Sequence, residues 1–347
     1  MRPTFSISAA GKDISGDVSA RLVSIEISDT VDETSDDMTI VLEDTAGTLA
    51  IPSSGATLDV SIGYDGRNTR LGSFVVDEVS VAGPPDLVTI RASSTPFVSD
   101  RKGGGSAEFN SRKSRSFEGK TIGDIVSTVA GECGLTPVVD QSLKDVSIPH
   151  IAQVSETDAN LLLRIARRYG AILKPAAGRL VLALEAGGQT TSGKPLEISL
   201  MPSDVSTYRF KLGGKMQGVT KVKAKVHSYS TGESEEVEVD VDKDGGQFLA
   251  PEGQTGEQVD AFYEKLLADS GGDIETTKQT AKSTAKRIAR SKKQCDLTML
   301  GNVSLVAGMH VNLTGFRQGN SGRYKVLTVR QSLSRSGWTT SLTCEGA

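Results

Sequence analysis

From Leu297 to Cys344 the chain is cut into short apolar or alternating runs by Gly301-Asn302, Ala307-Gly308, the stretch from Gly319 to Gly322, and Ser336-Gly337. Runs this short, each closed by a turn signal, leave no room for a long helix and specify a small antiparallel sheet. Alternation puts Tyr324, Val326, Thr328, Arg330 and Ser332 on one face, mostly polar. Lys325, Leu327, Val329, Gln331 and Leu333 fall on the other, mostly apolar, as in a strand packed on a core from one side. Gly337 permits a tight return, after which Trp338, Thr340, Leu342 and Cys344 alternate along the closing strand. A sheet this short needs partners from elsewhere in the chain.

The 347 residues suffice for three domains with their own cores. A charged fraction of 24%, a hydrophobic fraction of 37% and 37 glycines describe a soluble, turn-rich protein. A net charge of -4 argues against general nucleic-acid binding. No apolar run is long enough for stable membrane insertion, and the N-terminal stretch lacks the apolar core and basic flank of a secretory signal. The expectation is a chain made in the cytoplasm that stays soluble. Cys133, Cys295 and Cys344, like His150, His227 and His310, are scattered without metal-ligand spacing, so the cysteines read as small reduced hydrophobes and no metal or cofactor is expected.

Residues 1–100 contain about six strand-like runs and no helical signal, which makes them a small barrel or sandwich. Val18 to Ile27 reads as one of those strands, and Asp29, Asp32, Glu33, Asp36 and Asp37 form an acidic, solvated connection without the order of a calcium loop. Residues 101–120 read as a basic flexible loop carrying Arg101, Lys102, Arg112, Lys113, Arg115 and Lys120.

Residues 121–194 read as an α/β insert. Thr121 and Asp124 form a capping box ahead of an apolar stripe ending at Gly134; Ser155 and Asp158 repeat the start signal ahead of a helix ending at Gly170. On that second helix Arg164, Arg167 and Arg168 share the side opposite the core, as an anionic ligand site, a subunit salt bridge or simply a solvated face. Residues 188–195 are linker-like. Farther on, Lys221, Lys223 and Lys225 line one face of a strand; they face an acidic partner, water, or the acidic arm EEVEVD that follows. Thr255 to Gln258 cap a helix burying Val259, Phe262, Tyr263, Leu266 and Leu267, and a lysine- and alanine-rich helix follows with Ile274, Ala281, Ala285 and Ile288 to bury. The strands on either side of residues 236–296 complete one further β domain, from 195–235 and 297–347, with the acidic arm and helices inserted.

Three stretches resemble the late control protein D family, the baseplate hubs of contractile-tailed bacteriophages, and more distantly the hub region of type VI secretion spike proteins. They are the opening RPTFSISAAGKDISGD to IVLED, the middle SETDANLLLRIARRYGAILKP, and the closing stretch with Gly308, Gly315-Phe316, Gly322-x-Tyr324 and Gly337-Trp338-x-Thr340. The resemblance implies a mostly β fold with two tail-tube-like barrels and an α/β insert. It implies a homotrimer whose six barrels meet the sixfold tail tube protein on one face and the trimeric tail spike on the other, among other baseplate proteins. It implies a structural protein of the virion tail baseplate, assembled in the host cytoplasm, with no enzymatic activity; the alternatives are a part of a related injection machine, or a hub with peptidoglycan hydrolase activity. The residues singled out as structural or interface candidates are Trp338, Tyr324, Gly337, the three arginines and the three lysines.

Overall fold

The structure is a computed structural model, and it describes residues 1–9, 11–31, 36–94, 105–176, 178–184, 197–212, 219–227, 234–241, 259–262 and 274–346. The N-terminal part runs β1 (Pro3–Ala9), β2 (Lys12–Asp13), α1 (Ser15–Arg21), β3 (Leu22–Thr30), β4 (Asp37–Glu43), β5 (Thr57–Tyr64), β6 (Arg67–Ala82) and β7 (Leu87–Ser94). The middle runs α2 (Gly105–Asn110), β8 (Arg112–Thr121), α3 (Ile122–Cys133), β9 (Thr136–Val139), α4 (Gln141–Lys144), β10 (Ser147–Thr157), α5 (Asp158–Tyr169), β11 (Ala171–Ala176) and β12 (Arg179–Leu184). The rest is β13 (Glu197–Leu200), β14 (Thr207–Leu212), β15 (Val219–His227), β16 (Ser234–Asp240), β17 (Val259–Phe262), α6 (Ile274–Ser291), β18 (Lys293–Leu300), β19 (His310–Leu313), β20 (Gly322–Ser334) and β21 (Gly337–Gly346). The protein is thus mostly β, with an α/β insert, as its residue patterns predict.

Thirteen strands from both ends of the chain share one sheet, in the order β14-β18-β21-β20-β3-β4-β7-β6-β5-β1-β2, with β13 and β19 branching from β20. Antiparallel pairing of Thr328–Ser334 with Thr30–Ser24 joins its two halves. Two separate cores lie on this sheet. One gathers Ile25, Ile40, Leu58, Ile62, Phe74 and Val88 from the N-terminal strands together with Leu333 and Trp338. The other gathers Leu297, Met309, Val311, Tyr324, Val326 and Leu342. Each buried aliphatic side chain contributes about 1.5–3 kcal/mol.

Strict alternation along β20 does not hold. A β-bulge between Val326 and Thr328 interrupts its pairing with β21, and Tyr324, Lys325 and Val326 are all buried. One extra residue shifts the period by one, so Tyr324 and Val326, expected on the polar face, enter a core. The bulged Leu327 carbonyl accepts from Val31 N at 3.0 Å.

Several other elements differ from expectation. Ser15–Arg21 is a helix, and the strand expected from Val18 begins at Leu22. Residues 105–120 form α2 and β8 rather than a loop; Arg101 and Lys102 lie outside the described residues, as do residues 188–195. The cause is electrostatic. Asp158, fully buried, accepts from Lys113 at 2.7 Å and Arg115 at 2.6 Å, and these cations also reach Glu132. Burial alone would lower Lys113, but its bonds to Asp158, Glu108 and Glu132 override that and hold its ammonium firmly protonated. Lys113 and Arg115 of β8 are therefore counter-ions within the insert, while Arg112 and Lys120 stay exposed.

The insert's two main helices are capped as their sequences specify at Thr121, Gly134 and Gly170, with one exception. The cap of α5 is Thr157, whose hydroxyl accepts from Asn160 N at 3.1 Å. Ser155 instead takes a positive φ of 48° and donates its backbone N–H to Ser114 Oγ. Val219–His227 belongs to neither half of the large sheet: it pairs with β16 and β17 in a three-stranded sheet covered by α6. Val259–Phe262 is a strand rather than the start of a helix, since its backbone joins β15 in parallel; residues 255–258 and 263–270 lie outside the described residues.

Asp158→Ala would leave Lys113 and Arg115 facing the insert core without their buried counter-ion. Urea unfolding is expected to show a loss of about 3 kcal/mol; an unchanged midpoint would make the network dispensable.

Candidate functional site

Trp338 opens β21 and is 3% exposed, but it is buried in the core of the N-terminal strands rather than in its own half of the sheet. Its ring lies 4.8 Å from that of Tyr64. Its Nε1 donates to Gln331 Oε1 at 2.9 Å, and the Thr340 hydroxyl donates to the same oxygen at 2.6 Å. Gln331 Nε2 donates to the Asn302 carbonyl at 2.9 Å, while Asn302 N donates to Thr340 Oγ1 at 2.8 Å. A large apolar ring with one polar edge is thereby buried with its donor satisfied. Gly301 is required beside it: a Cβ there would stand 1.9 Å from Trp338 Cδ2. Gly337, with φ at 135°, takes a conformation that side chains resist, and so permits the β20–β21 turn that delivers Trp338.

Tyr324 anchors the second core. It is fully buried, donates its hydroxyl proton to the Asn320 carbonyl at 2.8 Å, and has Lys293 Nζ 4.7 Å from its ring centroid. Burial pushes its phenol well up. Phe210 and Phe316, 5.5 Å apart, extend this aromatic cluster toward Tyr208.

The α/β insert is fastened to the β sheet through the acidic connection expected to be solvated. Lys174 of β11 reaches both Asp29, at the end of β3, and Asp36 at 3.0 Å. Asp29 Oδ2 also accepts from Ala307 N at 2.8 Å. Burial, opposed by Lys174 and reinforced by Asp29, raises the Asp36 carboxyl to about 6. Asp32 and Glu33 lie outside the described residues.

The arginine trio divides. Arg164 donates to Glu156 Oε2 and to the Ala152 carbonyl, each at 2.8 Å. Arg168 is 7% exposed, against the expected surface position, because the last turn of α5 is covered by α6. Ser283 of α6 donates to the Arg168 carbonyl at 3.1 Å. Only Arg167 is exposed. All three border a cavity of about 550 Å³ between α5, α6 and the β20–β21 strands. The lysines resolve toward the cross-strand reading. Lys221 pairs with Glu238, and Lys223 lies 3.8 Å from the same carboxylate; Lys225 is opposite Glu236 by register, with its side chain outside the described residues.

All three cysteines are buried free thiols, as their reading as small hydrophobes expects. Sequence spacing did not indicate that Cys295 and Cys344 face each other across β18 and β21. His310, buried beside Arg323 and Lys325, is pushed down to about 4. Among the described residues, no three His, Cys, Asp or Glu side chains cluster as metal ligands and no helix is long and apolar enough to cross a membrane.

The architecture is that of phage tail proteins. The 43 kDa tail protein of prophage MuSo2 from Shewanella oneidensis superimposes with a TM-score of 0.70 at 15% identity, covering 99% of this chain and 98% of that one. A type VI secretion system component of Escherichia coli, described as structurally similar to bacteriophage T4 tail proteins gp27 and gp5, superimposes with a TM-score of 0.54 at 11% identity, over 98% of this chain and 76% of its own. In sequence, the probable baseplate hub protein of Escherichia phage 186 is 30% identical over 376 aligned positions, covering 99% of this chain and 93% of the relative. The phage tail baseplate hub (GPD) family matches residues 37–337. The chain belongs to that family: it is a baseplate hub protein of contractile-tailed phages, a component of the virion tail.

Two outcomes follow from this geometry. Trp338→Ala is expected to lower the unfolding free energy by about 3–5 kcal/mol, read by denaturant titration; no change would put the ring outside the core. For Asp36, a folded-state carboxyl raised from 3.8 to about 6 means the folded chain binds an extra proton between those values. Its contribution to stability is complete below pH 4 and is lost as pH rises through 6. His310, with its lowered value, acts with the opposite sign over part of the same window. The Asp36 contribution is therefore the difference between wild type and Asp36→Asn: from pH 4 to 6 the wild type should lose stability relative to the variant. A flat difference would place the carboxyl in water.

Proposed function

We propose that three copies of this chain form a ring that joins the tail tube to the trimeric spike. In this reading each copy presents two tube-like β units, one built around the Ile25, Phe74 and Trp338 core and one around the Tyr324 core. Three chains then offer six similar surfaces to a sixfold tube while keeping threefold symmetry toward the spike. The observation that carries the reading is the presence of two cores on one continuous sheet in a chain matched to the hub family over residues 37–337.

The role is mechanical and involves no bond making or breaking. Lys221 and Lys223 share the Glu238 carboxylate within their own sheet, so neither is assigned to tube or spike.

Reconstituting the purified chain with spike and tube, followed by particle imaging, tests the assignment. Threefold density between the two components is expected, with light scattering of the chain and spike together giving the mass of three chains plus one spike trimer. A chain that stays monomeric with spike, or polymerises alone into continuous tubes, overturns the reading. Clearing of a purified cell-wall suspension by the chain alone would overturn its non-enzymatic part.

A further inference from the structure

The cavity between α5, α6 and the β20–β21 strands collects cations from three separate parts of the chain. Arg164, Arg167 and Arg168 come from α5, Arg287 and Arg290 from α6, and Lys325 from β20. Against these six stand two carboxylates, Glu156 and Glu345, an excess of four positive charges in a chain whose net charge is -4. Both carboxylates are already engaged, Glu156 with Arg164 at 2.8 Å and Glu345 with Arg290 at 3.0 Å. Arg167 and Arg287 are exposed, and among the described residues neither side chain enters an ion pair. Placement near a helix C-terminus accounts for Arg167 taken alone. It does not account for guanidinium groups from a second helix, and a lysine from a sheet, bordering the same concave space, where like charges repel.

We propose that this cleft is a docking site for a carboxylate-rich segment of a neighbouring protein chain. Guanidinium forks match carboxylates two bonds at a time, as Arg164 and Glu156 already illustrate. A nucleic acid fits less well. No aromatic side chain borders the cavity to stack a base. A baseplate hub also works among protein neighbours, which makes an acidic segment the matching occupant. The proposal uses the cleft of one chain and stands independently of the trimeric arrangement.

The test is fluorescence anisotropy of a labelled hexaglutamate peptide with the full chain at low salt. Saturable binding is expected, about tenfold weaker in the Arg167→Ala/Arg287→Ala variant, since each exposed charge pair contributes well under a tenfold factor and two are removed together. The matched control is Lys282→Ala/Lys286→Ala, which removes two exposed charges from α6 outside the cleft and should bind within about twofold of wild type. A labelled thymidine hexanucleotide should bind more weakly than the peptide. Thermal melting verifies that both variants fold; should the arginine pair fail to fold, Arg287→Gln alone is expected to weaken the peptide measurably. No saturable binding, equal weakening by the two double variants, or tighter binding of the hexanucleotide overturns the proposal.

Discussion

The structure depends on β20 being paired along both edges. On one side it holds β21, the last strand; on the other it holds first β19 and then β3, whose partner residues are about 300 positions away in sequence. A ladder of backbone hydrogen bonds between the two ends of the chain leaves β20 with no open edge and makes one sheet of what would otherwise be two. Closing so long a loop costs chain entropy, though the cost grows only logarithmically with length. The return is long-range burial: Leu333 and Trp338, from the C-terminal hairpin, complete the N-terminal core.

Charge acts inside the molecule as much as at its surface. Asp158 draws β8 onto the insert through Lys113 and Arg115, and Lys174 ties the insert to Asp29 and Asp36 at the end of the main sheet. A buried ion pair adds little net stability over an apolar replacement, but removing one partner is expensive, so such pairs set where elements dock more than how strongly they hold. The exposed pairs, such as Arg70 with Asp59, contribute far less.

For a hub, this division of labour is physically apt. Two cores on one hydrogen-bonded sheet keep the β units in fixed relation, while the insert and α6 are added on separate sheets and enclose the charged cleft against β20 and β21. The shared sheet is suited to matching repeated partners, and the added helices give part of it a surface with a different chemistry.

Much of this was legible in the residues themselves. Turn glycines and short alternating runs specify a mostly β chain, Thr121 and Gly134 bracket one helix, Gly170 ends another, and the closing hairpin that holds Trp338 is one of the three stretches that carry the family resemblance. These are local signals, fixed by backbone freedom and by the periods of helix and strand. Tertiary structure alone decided the rest, because each remaining point depends on residues distant in sequence. The bulge after Val326 turned Tyr324 inward; Asp158 made a strand partner of an apparent basic loop; Lys174 captured an apparently solvated acidic turn; and α6 covered Arg168 while bringing Arg287 to the cavity that Arg167 borders. Periodicity reports which face of an element is apolar, but pairing and counter-ions are properties of the neighbour that arrives from elsewhere in the chain, and no local pattern encodes which neighbour that will be.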